Sequence, residues 1–348
     1  MMNFHKKRAP GSGRTYDLVA IDIDGTLVTS ENKLSIGIAP LIRETQARGI
    51  GVTLVSGRPK LKMAPLLKEL GLTLPYIGSG GAYIADPSNN LVILHHPLGR
   101  EEATAVVKLA RAEKAPIISQ EPDHLYYEGS LEELERLIAI AKIDITGVEG
   151  SQVDILRMDD VLQACAEPTK INICSEPGHL LKIERKLRLL NLPIYLTYSA
   201  PISLEITRSG IDKGEALKVL AMYLAIPLER ILVIGDSHND VSMFGIAGMA
   251  VAMGNAPEGV KAAADLVAPS NDQDGVAWVL RELVLKQYLQ GGGKPHPYYT
   301  TASQADSSYG RGDPCGRPEP PVCGRTYRPY RNDYRNPEGD QDGSQPIL

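Results

Sequence analysis

Large aromatic side chains are scarce in this sequence of 348 residues: one Trp and two Phe stand beside 15 Tyr. Six of those Tyr fall within residues 291–348, so the rest of the chain is poorer still. Cysteine is equally sparse. Four Cys in 348 residues exclude a disulfide-built scaffold. No run of about 18 apolar residues occurs, so no membrane-spanning helix is expected. A basic excess is missing too, with 37 Lys and Arg against 42 Asp and Glu and a net charge of −5. General nucleic-acid binders carry the opposite balance, so no nucleic-acid partner is expected. The basic start at His5-Lys6-Lys7-Arg8 has no apolar stretch behind it, so a secretory signal is not expected either. With no paired-Cys pattern, the expected location is a reducing cytoplasm, and Cys165 and Cys174 read as core thiols.

Composition then divides the chain. Residues 291–348 hold 9 Gly and 9 Pro, and their large aliphatics are Val322, Ile347 and Leu348 alone. Such a segment buries too little apolar surface to offset the entropy of ordering, and it reads as a disordered tail. Residues 1–14 read as a flexible start.

Between these ends, short apolar runs alternate with helical patterns. Residues 16–21, 50–55, 75–79, 231–234 and 249–253 read as strands, and 38–48, 59–70 and 212–224 as helices. That alternation implies an α/β core with a parallel sheet covered on both faces, over 15–85 and 199–290. Residues 86–198 follow a different rhythm. Strands are expected at 91–94, 117–120, 125–128, 154–158, 171–175 and 194–197, with helices at 101–114, 131–142 and 178–190. Ser130 and Glu133 form a capping-box pattern at the start of the second helix. The segment reads as an α+β module inserted into the core, entered through the turn Asp86-Pro87-Ser88-Asn89.

Acidic residues cluster where strands end. Asp22-Ile23-Asp24-Gly25-Thr26 directly follows the first strand, and ligands of open parallel sheets sit beyond the carboxyl ends of strands. Residues i and i+2 of a strand point the same way, so both carboxylates can face that crevice. A calcium-loop register starting at Asp22 fails, because its glycine position is Leu27 and its terminal Glu is Lys33. Gly235-Asp236-Ser237-His238-Asn239-Asp240 follows a second buried strand in the same way. Four carboxylates in one crevice repel unless a cation neutralises them, and oxygen-only ligands favour Mg²⁺ before Ca²⁺. The plainer reading of each segment is a polar turn. His238 reads as a solvent-facing loop residue. Ser56-Gly57-Arg58, after the second strand, offers a hydroxyl, a backbone N–H and a helix N-terminus, which together suit a phosphate oxygen. Lys213 at a helix start opposes the helix dipole and calls for a compensating anion, although lone lysines usually lie on the surface.

Taken together, these residues resemble the haloacid dehalogenase superfamily, specifically its Cof-like, subclass IIB sugar-phosphatase group. Asp22-Ile23-Asp24-Gly25-Thr26 resembles its first motif, Ser56 its second, Lys213 its third, and Gly235-Asp236 through Asn239-Asp240 its fourth. Met253-Gly254-Asn255-Ala256 and Asp274-Gly275-Val276-Ala277 match later signatures. The resemblance covers about residues 15–285, and the insert is similar to the family's large cap. One departure stands at Gly80-Gly81-Ala82, where the family usually has Asn-Gly-Ala.

The resemblance implies a Rossmann-like core and hydrolysis of a phosphate monoester through an aspartyl-phosphate. It implies Asp22 as nucleophile and Asp24 as general acid and base. Ser56, Gly57, Lys213 and Asn239 would bind the phosphate, with Asn239 orienting a phosphate oxygen or Lys213. Mg²⁺ would be held by Asp22, Asp24 through its carbonyl, Asp236 and Asp240. Arg58, Gly80, Gly81 and Asn255 are candidate substrate contacts. The implied partner is a small phosphorylated metabolite: a sugar phosphate, flavin mononucleotide or pyridoxal phosphate. Two other readings stay open, a phosphohexomutase-type phosphotransferase and a catalytically idle binding protein.

Overall fold

The computed structural model describes residues 16–130, 132, 133, 136, 155–200 and 202–286. The N-terminal segment 1–14, most of the helix expected over 131–142 and the tail over 291–348 lie outside the described residues. The strands, in chain order, are β1 Leu18–Ile21, β2 Gly51–Leu54, β3 Tyr76–Gly78, β4 Tyr83–Asp86, β5 Leu91–His95, β6 Ile117–Gln120, β7 Leu125–Glu128, β8 Ile155–Arg157, β9 Lys170–Cys174, β10 Ile194–Ala200, β11 Ser203–Arg208, β12 Ile231–Gly235, β13 Met249–Ala252 and β14 Leu266–Val267. Two compact units result. One holds the described residues within 16–55, 69–76 and 213–286, and the other those within 56–68 and 77–212.

The first unit is built on a five-stranded sheet of order β14-β13-β12-β1-β2, with every pair parallel. Its four longer strands are buried along their whole length, as their apolar sequences LVAI, GVTL, ILVIG and MAVA demand of a sheet covered on both faces. Helix Ile38–Ala47 buries Ile38, Leu41, Ile42 and Thr45, the i, i+3, i+4, i+7 stripe of a core-facing helix. Helix Lys213–Tyr223 buries Ala216, Leu217, Leu220 and Ala221. In register, Ile21 stands opposite both Ile234 and Leu54. The chain therefore leaves β1 and β12 at nearly the same level of the sheet edge.

The strand expected over 75–79 as the third of this sheet forms as β3, but it belongs to a separate three-stranded sheet of order β3-β4-β5. Beside this boundary the Thr53 hydroxyl donates to the Pro75 carbonyl at 2.6 Å, and the Ser56 N–H donates to the Ile77 carbonyl of β3 at 2.9 Å, a single backbone bond that does not extend into a ladder.

The second unit carries a six-stranded sheet of order β10-β11-β9-β6-β7-β8, antiparallel except for the parallel pair β7 and β8. Helices Arg100–Ala112 and Pro177–Leu189 cover one face, packing Val106, Val107, Leu180 and Ile183 against Ile117, Ile171, Ile173, Leu204 and Ile206. Strand β11, not anticipated from the sequence, pairs with both β10 and β9, so 203–208 belong to this sheet. The Ser130 hydroxyl accepts the Glu133 N–H at 3.2 Å, the capping bond its position predicts. Cys165 and Cys174 are buried free thiols, and burial pushes each up to about 12, which leaves them unreactive. Among the described residues no helix is long and apolar enough to cross a membrane.

Candidate active site

Asp22 is the first residue beyond β1, and its N–H donates to the Ile234 carbonyl of β12 at 3.0 Å. Asp236 is the first beyond β12. The parallel register therefore delivers both carboxylates to one edge, as the sequence pattern implied. The chain then bends sharply through residues 23–27, where Gly25 has φ +79°. A Cβ at Gly25 would collide with the Asp236 carboxylate, so glycine is required there by both conformation and space. The bend separates the two acidic residues of the first motif: Asp22 is 4% exposed, whereas Asp24 is exposed. Asp24 is not part of the cluster its neighbour forms.

That cluster consists of Asp22, Asp236 and Asp240, each with a carboxylate oxygen within 4.8 Å of the others. Lys213, the first residue of its helix and 2% exposed, reaches into it. Its Nζ donates to Asp22 Oδ1 and to Asp240 Oδ1, both at 2.6 Å. The anion that its position against the helix dipole required is thus a pair of carboxylates. Asp240 Oδ2 accepts the backbone N–H groups of Asp236 at 3.0 Å and Ser237 at 2.9 Å, which fixes the loop after β12. Thr26 donates its hydroxyl to Asp236 Oδ1 at 3.0 Å, and Asn255 donates its amide to the Gly25 carbonyl at 2.8 Å. His238 is exposed and stands outside the cluster. Lys213 bonds to the two carboxylates and not to Asn239, whose Oδ1 is buried with no donor among the described residues.

The electrostatics follow from burial. Desolvation lifts the Asp22 carboxyl well above its ordinary range; Lys213 pulls it back, while Asp240, Asp236 and Asp24 raise it further. Asp236 is pushed up to about 6, first by burial and then by Asp240, against the Thr26 hydrogen bond. Burial disfavours the Lys213 ammonium, yet Asp22 and Asp240 outweigh it and hold its pKa above the usual lysine range. Three carboxylates against one ammonium leave two negative charges uncompensated. An all-oxygen donor set with that deficit fits a hard divalent cation, Mg²⁺ before Ca²⁺. The orphaned Asn239 Oδ1 suits the shell of a hydrated cation, whose waters donate hydrogen bonds.

In the second unit, Ser56, Gly57, Arg58, Gly80 and Gly81 come together. The Gly80 N–H donates to the Ser56 carbonyl at 3.0 Å, and the Ser79 N–H to the Arg58 carbonyl at 2.9 Å. Ser56 Oγ accepts the Arg58 N–H at 3.1 Å and is fully buried. Gly80 has φ +71°, a conformation that Asn adopts more readily than other non-glycine residues, and a Cβ there meets nothing within 4 Å. The departure from the expected Asn is therefore compatible with an unchanged loop. Sequence reading passed over Thr26 and Ser79, and in the insert Lys170 and Glu205. Lys170 had one available signal, a charged residue opening a strand that is buried along its whole length.

Known proteins are similar to this chain in sequence and fold. The family model for haloacid dehalogenase-like hydrolases matches residues 19–280. Phosphatase YwpJ of Bacillus subtilis is 29% identical over 286 residues, which cover 77% of this chain and 99% of that protein. The 5-amino-6-(5-phospho-D-ribitylamino)uracil phosphatase YcsE of the same organism is 29% identical over 271 residues, covering 77% and 96%. Among solved structures, a haloacid dehalogenase-like hydrolase from Bacteroides thetaiotaomicron superposes with a TM-score of 0.69 at 30% identity, covering 77% of this chain and all of that one.

Proposed function

Since this chain belongs to the haloacid dehalogenase-like hydrolases and is a phosphatase, we propose that it hydrolyses small phosphate monoesters with Mg²⁺, through a phosphoryl group carried on Asp22. The observation that carries this reading is the Lys213 ammonium, 2.6 Å from both Asp22 and Asp240 in a buried acidic cluster at the carboxyl edge of a parallel sheet. Lys213 occupies Asp22 Oδ1, which leaves Oδ2 as the attacking oxygen. That oxygen bonds to phosphorus as the bond to the leaving oxygen breaks. Asp24 gives a proton to the leaving oxygen. It then takes one from the water that attacks phosphorus, which restores Asp22 and frees inorganic phosphate. Asp22, Asp236 and the main-chain carbonyl of Asp24 would hold Mg²⁺, which neutralises charge on the phosphoryl oxygens. Asp240 anchors Lys213 and shapes the loop. Asn239 completes the phosphate site in this reading.

Sugar phosphates, flavin mononucleotide and pyridoxal phosphate are the substrate candidates, and the ribityl ester named for YcsE joins them. The test is phosphate release from a panel of these esters with Mg²⁺ and after exhaustive chelation. Release that Mg²⁺ restores is expected. Undiminished turnover of the chelated protein would refute the metal requirement, and no release from any ester would refute the reading.

A further inference from the structure

Beyond β1 the chain reverses through a tight turn. Asp24 (φ −78°, ψ 116°) and Gly25 (φ 79°, ψ 0°) have the angles of the two central residues of a type II turn. The Val28 N–H donates to the Ile23 carbonyl at 3.1 Å and closes the bend. Three further main-chain groups of this stretch are held by side chains 230, 243 and 242 positions further on. Asn255 Nδ2 donates to the Gly25 carbonyl at 2.8 Å, Asn271 Nδ2 donates to the Val28 carbonyl at 3.0 Å, and Asp272 Oδ1 accepts the Ser30 N–H at 2.8 Å.

These three side chains stand on a common base. The Asn271 N–H donates to Asn255 Oδ1 at 3.1 Å. The Gly254 N–H donates to the Pro269 carbonyl at 3.2 Å, and a Cβ on Gly254 would collide with the main chain at Ser270, so the loops after β13 and β14 are in close contact. Ser270 and Gln273 close a capping box around Asn271 and Asp272.

Both ends of the Asn255 amide are therefore engaged: Nδ2 on Gly25, with Asp236 Oδ2 at 3.5 Å, and Oδ1 on Asn271. An amide so occupied is poorly placed to contact substrate, the role the family resemblance suggested. What it controls is the turn. The step from type II to type I changes ψ of the first central residue and φ of the second. Gly25 permits either sign of φ, so it allows the type II form without holding it. The bond from Asn255 holds it.

We propose that Asn255, braced by Asn271 and Asp272, is a positioning residue for Asp24: by clamping the Gly25 carbonyl it keeps the turn in one form and aims the Asp24 carboxyl at the leaving oxygen. The proposal rests on the reading of Asp24 as the acid that protonates that oxygen.

The test is kcat/KM, on the full chain with Mg²⁺, for an alkyl phosphate and for p-nitrophenyl phosphate. An alkyl oxygen needs a proton as its bond to phosphorus breaks, whereas p-nitrophenolate leaves as the anion. Asn255→Ala is expected to lower the alkyl value at least about 10-fold more than the p-nitrophenyl value, part of the roughly 100-fold or more that a general acid supplies. Asp24→Asn is expected to show the same selective loss at larger size. In an Asp24→Asn background, Asn255→Ala should add no further selectivity, since a residue acting through Asp24 has nothing left to position. Asp272→Ala should show the pattern at smaller size, and Asp272→Asn, which keeps an acceptor for the Ser30 N–H, should restore it. Asn255 and Asp272 are exposed, so the variants should stay folded and melt within about 4 °C of the unaltered protein. If Asn255→Ala melts lower than that, the Asp272 pair decides. Equal loss on both esters, no loss, or a selectivity that Asn255→Ala still adds in the Asp24→Asn background would overturn the proposal alone. Asp24→Asn without selective loss would overturn the reading of Asp24 as acid and this proposal with it. No turnover of any phosphate ester would overturn the phosphatase reading as well.

Discussion

Asp22 meets two opposed demands. As the proposed nucleophile it would have to be ionised to attack phosphorus, and it is buried where ionisation is disfavoured. Lys213 reconciles the two, and at neutral pH the ionised cluster strains the fold in return. Asp22→Asn should therefore cut turnover below about one-thousandth while leaving the melting temperature of the metal-free protein unchanged or higher. Phosphate release and thermal unfolding measured side by side check this, and an active Asp22→Asn would end the mechanism. Lys213→Met has the opposite signature: it leaves Asp22 and Asp240 buried without a cation, so stability should fall by about 3–5 kcal/mol. Asp236 gives the pH dependence. It titrates near 6 in the fold and at about 3.9 in an unfolded chain, so the folded state binds this proton more tightly. Its contribution to stability is fully present below about pH 4 and is lost as pH rises through about 6. A bound cation removes that loss. The rise in melting temperature on adding Mg²⁺ should accordingly be larger at about pH 7.5 than at about pH 5. Equal rises at both would exclude Asp236 as a ligand.

Among the elements, the bend after β1 does the most positioning. Gly25 and Gly37 both have left-handed backbones, but only Gly25 faces a carboxylate; a Cβ at Gly37 meets nothing within 4 Å. Alanine at either position should cost about 1–2 kcal/mol of stability for its conformation. Only Gly25→Ala should also displace Asp236 and depress turnover, and activity lost equally in both variants would contradict that assignment. The sequence made much of this visible. Strands 231–234 and 249–253 are short apolar runs with polar residues just beyond them, and a parallel sheet buries such runs on both faces. Apolar pattern alone thus places the residues following those runs at one edge of the sheet. Other features lay beyond reach. Strand β4 follows Ser79, Gly80 and Gly81, three successive left-handed residues whose reversal no periodicity signals. Strand β11 alternates apolar and polar residues like an exposed strand, yet Ser203, Glu205 and Thr207 are buried. Lys213 resembled a surface lysine because its two carboxylate partners lie 191 and 27 residues away.

For the whole molecule, the composition of 291–348 predicts that these residues add nothing to the core. A protein ending at Gln290 should melt within a degree or two of the full chain, since a change of 1 kcal/mol shifts a domain of this size by roughly 2–4 °C. It should also turn over substrate at the same rate. A drop of several degrees would mean that the segment docks. The sheet order has a consequence for how the protein is made. β1 lies between β2 and β12, and two paired strands alone are marginal in water. Every strand of the six-stranded sheet has been translated by residue 208, whereas β12 begins at Ile231. On the ribosome, the second unit can therefore finish its sheet while β1, translated long before, still waits for its other neighbour. A nascent chain halted before residue 231 carries the whole of that sheet, and its Asp22 has neither Asp236 nor Asp240 to share a cation with.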